Sequence, residues 1–224
     1  MSNYEGQTVF VIDDDRAVRE SIAALLDIRG LHVETFASGE EFLSRFTEDA
    51  SGCVVTDLRI ENGMTGLDLQ VALQDRGFRI PVIVISAYAN VSNAVQAMHH
   101  GAVTLLEKNC STEALWQAIA EALDKDRETR DATQHVDSLL DRFRQLTDDE
   151  VRVMHRIVEG TLNKVIAKEL GISLRTVESR RQKVLAKVGV TSVPELVRAY
   201  VELEQAIGRP PIEVLISPPD TTDQ

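Results

Sequence analysis

Asp13, Asp14 and Asp15 stand directly after the apolar run Val9-Phe10-Val11-Ile12, and Asp57 stands directly after Cys53-Val54-Val55-Thr56. Ser86 follows Val82-Ile83-Val84-Ile85 in the same way, and Lys108 lies just beyond the run Ala102 to Leu106. Carboxylates brought together raise one another's pKa unless a cation intervenes. Hard oxygen donors with room for water suit Mg2+, so a cluster containing Asp13, Asp14 and Asp57 predicts a site for that ion. Taken singly, each residue has an ordinary explanation. An aspartate run after a strand is usually a solvated turn or a helix cap, and a lone lysine is usually surface. The repetition at four run ends is what predicts one shared site.

A second group is basic. Residues 162–190 carry 7 Lys and Arg against 2 Asp and Glu, a net of +5, whereas residues 1–125 carry 9 against 19, a net of −10. The net charge of −12 for the whole chain argues against a polyanionic partner, but the island at 162–190 reverses that locally. Leu162 to Leu170 reads as a short helix, Gly171-Ile172-Ser173 as a turn whose serine caps the next helix, and Leu174 to Lys187 as that second helix. Two short helices joined by a glycine-containing turn, the second one basic, fit a helix-turn-helix. The competing reading is a helical hairpin with a solvated charged face. With Val177, Val184 and Val188 inward, Glu178, Ser179 and Gln182 are predicted to reach base edges, since Glu accepts from cytosine N4 and Gln pairs with adenine. Lys164, Arg175, Thr176, Arg181, Lys183 and Lys187 are predicted at the phosphates of double-stranded DNA.

The elements that must position these groups alternate up to about residue 125. Strand-like runs (9–12, 31–36, 53–56, 82–85 and 102–106) are each followed by a helical pattern. The helix starts are marked by Asp15 and by the Ser38-Gly39-Glu40-Glu41 capping pattern. Val91, Ala94, Val95 and Met98 mark the fourth helix, and Thr112 opens a fifth that contains Trp116. Five such pairs imply an α/β fold, a doubly wound five-stranded parallel sheet whose carboxyl edge collects the acidic residues. From Thr147-Asp148-Asp149-Glu150, a second capping pattern, all signals are helical. The predicted organisation is an α/β domain at 1–123, a partly helical linker at 124–145, an all-α helix-turn-helix domain at 146–207 and a flexible, proline-rich tail at 208–224.

Composition limits the alternatives. Apolar residues make up 43% of the 224 residues, enough for two packed cores. Two cysteines, Cys53 and Cys110, are too few for a disulfide framework or a zinc site. Residues 1–7 lack a signal-peptide pattern, and no apolar run is long enough to span a bilayer, so a cytoplasmic location without membrane association is expected.

Residues 7–123 resemble the receiver domain of two-component response regulators. The resemblance rests on Val-Ile-Asp-Asp-Asp (11–15), Val-Val-Thr-Asp-Leu-Arg (54–59), Gly-Met-Thr-Gly-Leu (63–67), Val-Ile-Ser-Ala (84–87) and Leu-Glu-Lys (106–108). It implies that Asp57 accepts a phosphoryl group from a sensor histidine kinase or a small phosphodonor. It further implies that Asp13, Asp14, Asp57 and the backbone carbonyl of Arg59 hold Mg2+, and that Ser86 and Lys108 contact the phosphoryl oxygens. Three positions depart from the family. Asn109 replaces the usual proline after the lysine, so its peptide bond is expected to be trans. The loop Ile60-Glu61-Asn62-Gly63 is longer by one residue and has no proline. Leu105 replaces the usual switching Phe or Tyr.

Residues 146–203 resemble the LuxR-type DNA-binding domain through Leu146-Thr147, Glu150, Gly160, Asn163-Lys164, Ile166-Ala167, Leu170, Ser173, Thr176-Val177-Glu178, Lys187 and Gly189, with Arg180 where a histidine is usual. The order of the two domains places the chain with FixJ/NarL-like regulators. The resemblance implies a phosphorylation-gated transcription regulator that forms a homodimer when phosphorylated, with the helix at 193–205 as a further dimer surface. Self-phosphorylation from a donor and self-dephosphorylation are the only chemistry expected. Two other readings remain. One is a receiver that no longer switches by phosphorylation. The other is an aspartyl-phosphate phosphohydrolase, although such enzymes place the nucleophile on the first strand, where Arg16-Ala17-Val18 comes next here.

Overall fold

A computed structural model describes residues 4–47, 49–60, 63–87 and 91–216. The chain divides into two compact units, Met1–Arg130 and Asp131–Gln224.

The first unit begins with β1 (Thr8–Ile12), α1 (Arg16–Asp27), β2 (His32–Phe36), α2 (Gly39–Arg45) and β3 (Gly52–Asp57). It continues through α3 (Gly66–Asp75), β4 (Val82–Ser86), α4 (Val91–His99), β5 (Thr104–Glu107) and the start of α5 (Thr112–Arg144). The five strands pair in parallel in the order β2-β1-β3-β4-β5. Successive side chains of a strand point to opposite faces, so a strand buried on both faces must be apolar throughout. Val9 and Val11 accordingly pack with Cys53, Val55, Ile83 and Ile85 against α1 and α5. Phe10 and Ile12 pack with Val54, Val82 and Val84 against α2, α3 and α4. Gly52 opens β3 at φ 143°, and a Cβ there would lie 1.7 Å from the Thr8 carbonyl oxygen, so the β1–β3 pairing requires glycine at this point.

The second unit comprises the end of α5 with α6 (Asp148–Val158), α7 (Asn163–Glu169), α8 (Leu174–Val188), α9 (Val193–Ile207) and α10 (Pro211–Ile216). Phe143, Met154, Ile166, Val177, Val184, Val188, Leu196 and Leu203 form its core. Thr147 caps α6 in a complete capping box with Glu150, and Ser173 caps α8 by accepting from Thr176 N.

Three expectations are corrected. Residues 124–145, expected to be partly helical, are helical as far as Arg144, as the continuation of the 33-residue α5. Its segment up to Arg130 is tied to the first unit by buried Asp126, which accepts from Ser51 Oγ at 2.6 Å, Gly52 N at 2.9 Å and Gln7 Nε2 at 3.2 Å. The tail is structured as far as Ile216: Ile212 and Leu215 of α10 pack on the helical core, and only its last residues, 217–224, lie outside the described residues. The fourth helix lies where its apolar residues predict it, with Val91, Val95 and Met98 81%, 62% and 52% exposed and Ala97 buried. Ser38 caps α2, but Glu41 reaches back to Ala37 N rather than to Ser38. Among the described residues no helix is long and apolar enough to cross a membrane.

Candidate functional site

The carboxyl edge of the sheet assembles the acidic cluster. Parallel pairing sets Ile12 beside Thr56 and Asp57 beside Ile85, so Asp13 and Asp57 emerge next to each other from β1 and β3. This is also where the strand order reverses, the place where open parallel sheets bind ligands. One oxygen each of Asp13, Asp14 and Asp57 lie within 4.8 Å of one another. Lys108, just past β5, reaches back so that its Nζ is 2.6 Å from Asp57 Oδ2 and 2.7 Å from Asp13 Oδ2. Ser86 ends β4 and is buried, and its carbonyl accepts from Lys108 N at 2.8 Å. Arg59 N donates to Asp57 Oδ1 at 3.1 Å, which places Arg59 directly at the cluster.

The electrostatics follow from burial. Desolvation pushes the Asp13 carboxyl up, against the opposing pull of Lys108. Burial alone would lower Lys108, but the adjoining Asp13 and Asp57 carboxylates outweigh it and hold the ammonium raised. Asp13 Oδ1 accepts from Asp15 N at 2.9 Å, and the buried Oδ2 is held by the Lys108 ammonium at 2.7 Å. Three carboxylates whose oxygens lie this close together, two of them buried and one exposed, form an all-oxygen donor set that fits a hard divalent cation such as Mg2+.

Sequence reasoning missed several supports of this site. Arg19 Nη1 donates to the carbonyls of Asp13 (2.5 Å) and Asp14 (3.0 Å), fixing the acidic turn. Glu40 Oε1 accepts from Met64 N at 2.8 Å and anchors the loop after β3. Thr65 and Asp68 form a capping box at the start of α3. Gly66 N donates to the Leu58 carbonyl, and a Cβ on Gly66 would lie 2.4 Å from the Asp57 carbonyl oxygen. Its place in Gly-Met-Thr-Gly-Leu was the available signal. No described peptide bond is cis, consistent with Asn109. Leu105 is half-buried against the core on the α3 and α4 side, and Glu61 and Asn62 of the lengthened loop lie outside the described residues.

The second cluster lies on α8. Arg175, Glu178, Ser179, Gln182 and Lys183 are exposed on the side away from Val177 and Val184, and Lys164 is exposed on α7. Thr176 shares a 2.8 Å hydrogen bond with Ser173, and Arg181 donates to Asn163 Oδ1 at 3.3 Å. Lys187 departs from its expected place at a phosphate. Its Nζ is 2.6 Å from Glu150 Oε2 and 3.0 Å from the Gln145 carbonyl, so the charge is spent holding α8 to α6. Arg180 pairs likewise with Asp149. The dimer surface expected on α9 is also largely consumed, because Leu196, Tyr200 and Leu203 are buried in their own domain.

Comparison with known proteins identifies both regions. Residues 9–120 match the response regulator receiver domain, and residues 144–200 match the bacterial regulatory proteins of the luxR family. The transcriptional regulatory protein TdiR of Thauera aromatica is 39% identical over 189 residues, covering 84% of this chain and 83% of its own. The transcriptional regulatory protein FixJ of Azorhizobium caulinodans is 41% identical over 197 residues, covering 87% and 92%. Among solved structures, the response regulator StyR superposes with a TM-score of 0.81 at 38% identity, over 87% of this chain and 98% of its own. Full-length FixJ from B. japonicum superposes with a TM-score of 0.54 at 32% identity, over 89% and 98%. An acidic pocket on a parallel sheet and a basic helix-turn-helix thus share one chain for a reason that these relatives make plain: the chain belongs to the response regulators of two-component systems, transcription regulators in which phosphorylation of a receiver gates a LuxR-type DNA-binding domain.

Proposed function

We propose that Asp57 is the phosphoacceptor and that its donor is a sensor histidine kinase or a small acyl phosphate. The observation that carries this reading is the bridge from Lys108 Nζ to Asp57 and Asp13, at 2.6 and 2.7 Å, within the three-carboxylate cluster. A carboxylate oxygen of Asp57 attacks phosphorus, and the bond from phosphorus to the donor breaks with its electron pair leaving on the donor. Asp13, Asp14, Asp57 and the Arg59 carbonyl would hold Mg2+, which when bound offsets negative charge on the transferring group. Lys108 supplies a further positive charge at the Asp57 carboxylate. Ser86, buried at the end of β4, would contact a phosphoryl oxygen and draw the following loop toward it.

Phosphorylation adds about −1.5 to −2 charges at this edge. The exposed apolar face of α4 supports a homodimer in the phosphorylated state through the α4–β5 region. Arg175, Thr176, Arg181, Lys183 and Lys164 are the proposed phosphate contacts, and Glu178, Ser179 and Gln182 the proposed base readers, of a domain bound to double-stranded DNA.

The test is Mg2+-dependent labelling by acetyl phosphate, with light scattering on the same samples. The wild type should be labelled and its mass should rise toward that of a dimer. Asp57→Ala should do neither. Undiminished labelling of Asp57→Ala would move the phosphoacceptor elsewhere. Steady release of phosphate from simple esters would favour a phosphohydrolase.

A further inference from the structure

Leu162 sits at the N-cap of α7, where a Ser, Thr, Asp or Asn side chain would accept from a free backbone N–H. It accepts nothing there, and it is 73% exposed. Leu174, the first residue of α8, is 38% exposed. Both leucines line one surface cleft of about 610 Å3, together with Lys164, Glu178, Arg181 and Ile157. Leu162 therefore forgoes a cap and gains little burial, so folding does not account for it. Leu174 precedes Glu178 by one helical turn and shares its side of α8. The cleft is thus continuous with the surface of the recognition helix, and its cations suit a polyanion rather than an apolar protein.

We propose that this cleft reads thymine, with Leu174 against the C5-methyl group of a thymine next to the base pair facing Glu178, and Leu162 as the far wall that keeps water out. Thymine is the base whose major-groove edge carries an apolar group, and the N-terminal residues of a recognition helix are those that contact base edges. The inference rests on the DNA-binding reading of α8 and extends it to a specificity that the polar residues of that helix do not supply.

The experiment uses the full-length chain and a duplex selected from a random-sequence pool by the wild type. Each thymine is replaced in turn by uracil, which removes the methyl group and leaves the hydrogen-bonding edge unchanged. One or two positions per half-site should bind about fourfold more weakly, the affinity equivalent of one methyl group left unburied. Leu174→Ala should bind thymine and uracil duplexes alike. Leu162→Thr should raise the melting midpoint by supplying a cap and yet reduce the uracil penalty, a pair of effects that a purely structural leucine would not give. If the wild type keeps its sequence preference and no uracil position matters, the thymine reading fails and the DNA-binding reading stands. If no sequence is enriched from the pool, both fail.

Discussion

Lys183 and Lys187 lie one turn apart on α8, and the structure gives them different work. Lys183 is exposed, whereas Lys187 neutralises Glu150, whose side chain is 6% exposed. Lys183→Ala should weaken binding to every duplex and shallow the salt dependence by ~0.9 in the log–log slope. Lys187→Ala should leave that slope intact and destabilise the helical domain by about 1–2 kcal/mol, since it strands a largely buried carboxylate. Burial would raise the Glu150 carboxyl, but Lys187 and the Thr147 N–H outweigh this and hold it below its usual value. A carboxyl with a depressed folded pKa adds stability that is present above its ordinary value and lost as pH falls through the folded value. Glu150→Gln should therefore melt below the wild type at pH 7, and the gap should close as the pH drops below about 4. A gap that stays constant across this range would remove Glu150 from the account.

At the scale of elements, the approach of α3 to β3 is the tightest constraint on the acidic site. Gly66→Ala should force the start of α3 and the end of β3 apart, displace Asp57 and sharply reduce labelling by acetyl phosphate, with the helical content of the chain retained; full labelling would show that the loop relaxes at no cost. The elements themselves were largely legible in the sequence. Continuous apolar runs such as Val9–Ile12 and Val82–Ile85 announce strands buried on both faces, and the polar residues at their ends announce the site. What could not be read depends on contacts distant in sequence. Nothing local says that Asp126 will meet Gln7, Ser51 and Gly52, or that Lys187 will be drawn to Glu150. The apolar residues of α4 have core-like spacing, yet exposure is decided by what packs on the helix. Pro210 and Pro211 read as a breaker, although a proline in the first turn is compatible with the short helix that covers Tyr200, whose hydroxyl meets the Ile212 backbone.

At the scale of the whole molecule, α5 runs through both structural units, and among the described residues each hydrophobic core draws its side chains from one unit. Up to Arg130 the helix is held by Asp126, which Arg130 Nε meets at 3.1 Å. Further on, Leu139 and Phe143 anchor it in the core of the helical domain. Residues 131–135 between these anchors are exposed. Their helical form gains no apolar burial, and the solvent-exposed pair of His135 with Glu202 adds little to it. A short stretch so weakly supported opens more readily than the segments flanking it. Limited trypsin digestion should therefore cut first after Arg130, at the edge of this stretch, and the two products should persist, each resisting further digestion. Early cleavage inside α1, α3 or α8 would contradict this. The same stretch makes the chain modular in a practical sense: a designer could exchange either half at residues 131–135 and leave both hydrophobic interiors untouched.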